Sequence, residues 1–441
     1  MAVPRTRAYR AAAVALALCA SLAGCGGGAS ATAEAGSGDE AGSGSGSGDK
    51  VTLRFTWWGN ADRAARTEKA VAAFERAHPG IRIQTSYATY DAYKQKLATQ
   101  AAGSDVPDLI QLDYRQISQY AGAGVMLDLA RQRKELPTGE MDPKMLRTGQ
   151  VGGVQYALPM GVGTQTVAYD KAAWRAAGAK APRAGWSWQD WVRALREVKK
   201  EHGPHVMTDP GAAEDQFEIW LRGRGKQLYG RDGQLAFSAK DLARWWSFTS
   251  ALRKEGLVSP ATDTTQMSGS VEDAPMGRKR STAEFNWDAP SAGYEAMYGD
   301  RLAIAPTPTG EDGTYGQYYK PSMLLGISAG SEHPREAAQF IDFLLNSDKA
   351  ADILGVDRGT PVNSTQRRRV LSHVTGFQKQ VAGLQTSLRG KLEPPPAAPP
   401  RGDNGLQSTF QRDYDQVSFE KLSPREAAEQ FVTEARAELR P

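Results

Sequence analysis

The sequence predicts an α/β fold of two lobes, and three observations predict it. Strand-like and helix-like segments alternate from Val51 onward, the pattern of βαβ units around a parallel sheet. The chain has 441 residues, too many for one simple core. Aromatic and polar residues cluster at Trp58–Asn60 and Asp113–Tyr114. Both clusters follow predicted strands, and ligands of parallel sheets sit outside the carboxyl ends of strands.

The elements follow in order. Val51–Trp57 is rich in β-formers and reads as a buried strand. Side chains alternate across a strand, so Val51, Leu53, Phe55 and Trp57 share one face. Trp57 is then a core residue, and Trp58 falls just past the strand. Asp62–His78 carries Ala65, Ala70, Val71 and Phe74 at helical spacing, and "HPG" stops it. "IRIQTSY" is a second strand, Tyr90–Ala102 a second helix and "DLIQLD" a third strand. Ser187 opens the helix "WSWQDWVRALREVKKEHG", and Ser238 opens "SAKDLARWWSFTSALRKEGL". Trp245 and Trp246 lie mid-helix and read as packing residues. Apolar spacing marks "PREAAQFIDFLLNS" and the terminal "SPREAAEQFVTEARAEL" as amphipathic helices. "LEPPPAAPPRGD" reads as an extended loop.

Before this body, a basic segment with Arg5, Arg7 and Arg10 leads into the apolar run "AAAVALALCASLAGC". That is the pattern of a secretory signal. Leu22-Ala23-Gly24-Cys25 resembles a bacterial lipobox, which implies cleavage before Cys25 and acylation of its thiol, palmitate included. Residues 26–50 are Gly- and Ser-rich, a flexible tether. The expected organisation is a lipid anchor on the extracellular face of the cell membrane, a leash, then the body. The formal charge of +4 falls to about +1 without the leader arginines, which gives no argument for nucleic-acid binding. With Cys25 acylated, no disulfide is expected.

The order of landmarks along the body is distinctive. It runs "VTLRFTWWGN…AVAAFERAHPGIRIQ", "GSDVPDLIQLDYRQISQYAGAGVMLDL", "YALPMGVGTQTVAYDKAAWRAAG", "WLRGRGKQLYGRDGQLAF", "SMLLGISAGSEHPREAAQFIDFLLNS" and "DRGTPVN". In this order the chain resembles the family-1 extracellular solute-binding proteins of bacterial ABC importers, the carbohydrate type that includes maltose-binding protein. One segment departs from the family pattern: "APMGRKRSTAEFNWDAP" is more polar and more basic. The resemblance implies a two-lobe, type II periplasmic-binding-protein-like fold with hinge crossings near Pro159–Thr164, Ala283–Asn286 and Tyr319–Ser322. It places residues 51–160 and 285–319 in the first lobe, and 161–284 and 320–375 in the second. Residues 376–441 become C-terminal helices packing mainly on the first lobe. It implies a monomer that captures a sugar or oligosaccharide without catalysis, cofactor or metal, and hands it to the permease subunits.

A sugar needs aromatic faces for its C–H surface and planar polar groups for its hydroxyls. The candidates are Trp58, Asn60, Asp62, Asp113 and Tyr114 in the first lobe, and Gln165 in the crossing segment. Glu218 and Trp220 follow, then Asn286, Trp287 and Asp288, then Tyr318, Tyr319 and Arg358. Competing structural readings stand beside several of them. Trp58 and Trp220 can be core residues, Asp113 a helix cap, and Arg358 a loop ion pair with Asp357. Peptides and polyamines are further ligand classes.

Other motifs are set aside. Gly326–Gly330 matches G-x-S-x-G, and with His333 and His373 downstream it would make an exported hydrolase using Ser328; a carboxylate pair is the other route to one. The nucleophile elbow needs a helix beginning at Ser328, whereas the helix signal starts at Ser331–Pro334. His202 and His205 lack the companions of a metal site. The basic runs at 277–280 and 367–369 read as solvated surface, and "RGD" at 401–403 as a chance tripeptide.

Overall fold

The structure, a computed structural model, describes residues 50–230, 232–267 and 270–439. The expected signal peptide, Cys25 and the tether through residue 49 lie outside the described residues. Strand β1 (Val51–Trp58) runs parallel to β2 (Ile81–Ala88), in register from Val51↔Ile81 to Trp58↔Ala88. It also pairs in parallel with β3 (Leu109–Leu112). Trp58 is therefore the last residue of the strand rather than the first beyond it. The alternation holds: Leu53, Phe55 and Trp57 are buried on one face. Asn60 caps the helix Ala61–Ala77, accepting from the Arg63 amide. That helix buries Ala64, Ala70, Val71 and Phe74, so Ala64 takes the inward position expected of Ala65.

A short hairpin, β4 (Gln150–Val151) and β5 (Val154–Gln155), precedes β6 (Ala157–Pro159) and the ten-residue β7 (Gly161–Asp170). Then come β8 (Ala283–Trp287), β9 (Leu302–Ala305), β10 (Tyr319–Pro321), β11 (Leu324–Ile327) and β12 (Thr360–Pro361). The first sheet has the order β2-β1-β3-β11-β6, with β11 antiparallel to both neighbours. The parallel sheet read from the sequence is thus confined to β1, β2 and β3. The second sheet is built on β7, buried along its length. β10 and β12 pair with its first residues, β8 and β9 with its second half, all antiparallel.

Apolar packing separates the lobes. In the first, Phe340 of the helix Pro334–Asn346 meets Phe55 at 5.4 Å and Phe74 at 5.0 Å. The opposite face of that sheet carries a second cluster that includes Tyr93, Ile110, Leu112 and Leu324. In the second lobe, Trp174 stacks on Trp191 at 5.4 Å, and Trp186 meets Trp191 edge-on at 4.9 Å. Each such pair contributes about 0.5–1.5 kcal/mol beyond area burial. Ser187 and Ser238 cap their helices as expected.

These contacts redraw the expected partition. The segment 285–319 stays in the second lobe, because β8 and β9 pair with β7. Ala283–Asn286 is therefore a strand of that lobe and not a crossing. The chain returns through β10, and β11 enters the first sheet beside β3; the helices Pro334–Asn346 and Asp348–Leu354 follow it into the first-lobe core. The C-terminal helices Asp403–Ser418 and Pro424–Glu438 pack on the second lobe, with Phe410 against Trp246 at 5.2 Å and Phe431 in the same cluster. No helix among the described residues is long and apolar enough to cross a membrane.

Candidate ligand-binding site

At the end of β3, Asp113 caps a short helical turn, Tyr114–Gln116. Its carboxylate accepts from the Arg115 amide at 2.9 Å, and Gln116 Oε1 accepts from the Asp113 amide at 3.1 Å. The cap fixes the backbone that presents Tyr114 and Arg115 to the second lobe. Facing them is the helix Glu214–Arg222, whose first turn carries Glu214 and Asp215. Acidic residues suit a helix N-terminus.

Arg115 joins the two sides. Its Nη1 donates to both Asp403 oxygens at 2.9 Å, and its Nη2 donates to Asp215 Oδ1 at 2.9 Å. Glu214 Oε2 lies 2.9 Å from Nη1. Tyr229 Oη donates to Asp403 Oδ1 at 2.6 Å. All of this is largely removed from water. Burial by itself disfavours the charge on Arg115, but Asp403, Glu214 and Asp215 outweigh it and hold its pKa well above the ordinary arginine value. Burial pushes Glu214 up to about 8, since its share of one guanidinium cannot offset desolvation and the neighbouring carboxylates of Asp403, Asp215 and Glu218. Asp215 goes the other way. Burial raises it, but Lys320, Arg115 and the indole of Trp287 bring it down to about 2.

Beside this cluster is a cavity of about 150 Å³. Tyr114 and Arg115 bound it from the first lobe, and Asp215, Glu218, Tyr318 and Lys320 from the second. Residues Pro396–Pro400 close one side. Glu218 Oε2 accepts from Tyr318 Oη at 2.5 Å. Burial raises the Glu218 pKa against the pull of that bond. Trp287 Nε1 donates to Asp215 Oδ2 at 2.8 Å, and Lys320 Nζ lies 3.9 Å above the Trp287 ring.

Behind the cavity the crossing is braced. Asp288 accepts from the Thr164 amide at 3.1 Å and from Gln385 Nε2 at 2.7 Å. A Cβ at Gly163 would lie 2.8 Å from Asp288 Oδ1, so glycine allows that approach. Gln165 Oε1 accepts from Gln216, and the Gln165 carbonyl accepts from Gln317 Nε2 at 2.5 Å.

Of the candidates read from the sequence, the structure brings Tyr114, Glu218 and Tyr318 to the cavity, with Trp287 hydrogen-bonded to its wall. Gln165 lies in the crossing behind it, and Asp288 braces that crossing through the Thr164 amide. Asn286 bonds Glu284 Oε1 at 3.1 Å, and Tyr319 Oη donates to the Gln385 carbonyl at 2.6 Å. The others do not line the cavity. Trp58 packs on Tyr90 and Tyr93 at 5.5 and 5.6 Å. Asn60 and Asp113 act as caps, and Asp62 is exposed in the first helical turn. Trp220 packs on Trp245 at 5.9 Å in the core. Arg358 is buried in the first lobe, bonded to Gln111 Oε1 at 3.2 Å and Thr67 Oγ1 at 2.8 Å.

Sequence reasoning missed Arg115, Glu214, Asp215, Lys320 and Asp403. A signal existed for two of them: Glu214 and Asp215 stand four and three residues before Glu218, on the same helix face. Asp403 belongs to the tripeptide read as chance, yet it is fully buried. At Gly326–Gly330, Ser328 Oγ accepts from the Gly330 amide at 3.2 Å, and the next helix begins only at Pro334.

The raised Glu214 pKa has a testable sign. The folded state keeps a proton that the unfolded chain releases near 4.5. Stability from this group is therefore complete below that pH and is lost as pH rises toward 8, at up to about 1.4 kcal/mol per pH unit. Glu214→Gln is expected to flatten this part of the pH profile in denaturant melts; a slope identical to that of the native protein would contradict it.

Comparison with known proteins fits this geometry. A family model described as bacterial extracellular solute-binding protein matches residues 58–351. A solved family-1 extracellular solute-binding protein from Alicyclobacillus acidocaldarius is 33% identical, covering 90% of this chain and all of its own, with a TM-score of 0.69. An uncharacterized lipoprotein in the oleD 5′ region of Streptomyces antibioticus is 26% identical over 407 residues, 83% of each chain. The diacetylchitobiose binding protein DasA of Streptomyces coelicolor is 23% identical over 323 residues, 71% of this chain and 69% of its own. With its two lobes and the cavity between them, the protein belongs to the family-1 bacterial extracellular solute-binding proteins.

Proposed function

We propose that the protein is the capture component of an ABC importer and that its ligand is a carbohydrate held between the lobes. The observation that carries this reading is the cavity where Tyr114 and Arg115 of one lobe meet Glu218, Tyr318 and Lys320 of the other. Its chemistry suits a sugar. Tyrosine rings offer faces for C–H surface. Glu218 bonds Tyr318 through one oxygen, and its other oxygen serves a ligand hydroxyl. A ligand touching both walls stabilises the closed arrangement and shifts the population toward it. The closed form then docks on a permease whose separate ATPase drives import. Capture of diacetylchitobiose by the relative DasA, as its name states, supports a saccharide.

A second reading is favoured by one observation. Four carboxylates, Glu214, Asp215, Glu218 and Asp403, stand near the cavity, which would also suit a polyamine or a basic peptide. A thermal-shift screen against sugars, polyamines and peptides separates the readings. A ligand at 100 times its Kd adds about 2.7 kcal/mol to apparent stability. Sugars are expected to give the shift, and a shift with amines or peptides alone would overturn the carbohydrate reading. Glu218→Ala is expected to weaken the sugar that binds by roughly 10- to 100-fold, the cost of an unpaired buried hydroxyl.

We further propose that Cys25 carries a lipid and that residues 26–50 tether the body to the outer face of the membrane, close to its permease. Cys25→Ser is expected to move the protein from the membrane fraction to the medium. Full retention would contradict the anchor.

A further inference from the structure

One segment of the cavity wall comes from neither lobe's sheet. The chain between the helices Gly376–Leu388 and Asp403–Ser418 crosses the cleft as an irregular strap. Both ends are seated on the second lobe. Phe377 packs with Leu302 and Tyr294, and Phe410 packs with Trp246. Entering the cleft, Glu393 forms a bridge with Tyr318, and the Pro394 carbonyl accepts from Arg222 Nη2 at 2.9 Å. The strap then passes to the first lobe. Tyr114 Oη reaches the Pro396 carbonyl at 2.5 Å and the Ala397 carbonyl beside it. Ala398 packs against the first-lobe apolar cluster, and Pro399 is buried.

The composition of the strap suits a fixed wall. Between Pro394 and Pro400 only Ala397 and Ala398 have amide hydrogens. Proline fixes φ and lacks the N–H donor, so this edge is stiff and offers carbonyl acceptors almost alone. Such an edge meets hydroxyl donors well. The strap is held by second-lobe groups at its start and by Tyr114 at its middle, so it cannot swing aside without losing those bonds. The cavity it bounds, about 150 Å³, is smaller than the roughly 300 Å³ at which ligand clefts usually begin. On the side where Pro396–Pro400 stand, the strap blocks extension of a longer chain.

We propose that the strap, whose residues 396–400 line the cavity, forms the end wall of the ligand cleft and limits the ligand to a short saccharide. This rests on the carbohydrate reading above. The test is calorimetry on the full chain in detergent with saccharides of one to six units in one linkage series. Three proteins are compared: native, Tyr114→Phe, and a triple variant with Pro394→Gly, Pro395→Ser and Pro396→Gly. Tyr114→Phe keeps the ring and removes only the donor, so it guards against misfolding of the triple variant. The native protein is expected to bind one or two units best, with affinity falling at least tenfold for longer chains. Both variants are expected to lose that fall. Native binding with the same length profile in both variants overturns the wall and leaves the carbohydrate reading intact. Native binding that is equally tight for long chains also overturns it. Failure of the native protein to bind any saccharide overturns the carbohydrate reading and the length limit with it.

Discussion

One guanidinium shared by three carboxylates, those of Glu214 and Asp403 buried and that of Asp215 half-buried, is the constraint on which this arrangement of the lobes depends. Arg115 leaves the first lobe on a capped turn, and its partners Glu214, Asp215 and Asp403 belong to the second lobe. Removing two charges from water costs several kcal/mol per ion, and attraction repays this only with good geometry. The planar fork of arginine supplies that geometry, with two bonds to Asp403 and a third to Asp215. Burial chiefly, and then the neighbouring carboxylates, raise the pKa of Glu214, so it is the member of the cluster better kept neutral. The cluster joins the lobes in one register. Such a contact is reversible, because water can replace its hydrogen bonds when the lobes part.

The crossing supplies the complementary constraint. β7 is a single strand that carries β10 and β12 at one end and β8 and β9 at the other, so the second sheet begins where the chain leaves the first. Asp288 ties that strand to Gln385 on the helix leading into the strap. Hinge, clamp and strap are thus consecutive parts of one connected polar system. It runs from Thr164 through Asp288 and Gln385, along the strap to Tyr114, and back through Arg115. Movement of one lobe relative to the other must break the Arg115 contacts, the Tyr114 bonds or both.

Much of the fold was legible from local pattern. Period-two alternation correctly buried Leu53, Phe55 and Trp57, and Ser187 and Ser238 capped the helices they preceded. The assignment of segments to lobes was not legible, because it turns on contacts distant in sequence. Phe340 meets Phe55, Phe410 meets Trp246, and Leu324–Ile327 pairs with β3. At the site, the residue types that bind sugars are also those that cap helices. Asn60 and Asp113 could be read either way, and the backbone amides take them. Arg115 and Asp403 are 288 positions apart and meet only through tertiary structure. In sequence, one is an arginine after a cap and the other the end of a loop tripeptide.

The central claim is that the Arg115 cluster holds the lobes together. Paired spin labels at Glu68 and Glu201, exposed positions on opposite lobes, report the interlobe distance in a Cys25→Ser background. The ligand-free protein should populate the interlobe distance of this structure. Arg115→Met should deplete that population in favour of a displaced one while the far-ultraviolet spectrum stays folded, because the carboxylates then gain by opening to water. Superimposable distributions in the two proteins would contradict the claim.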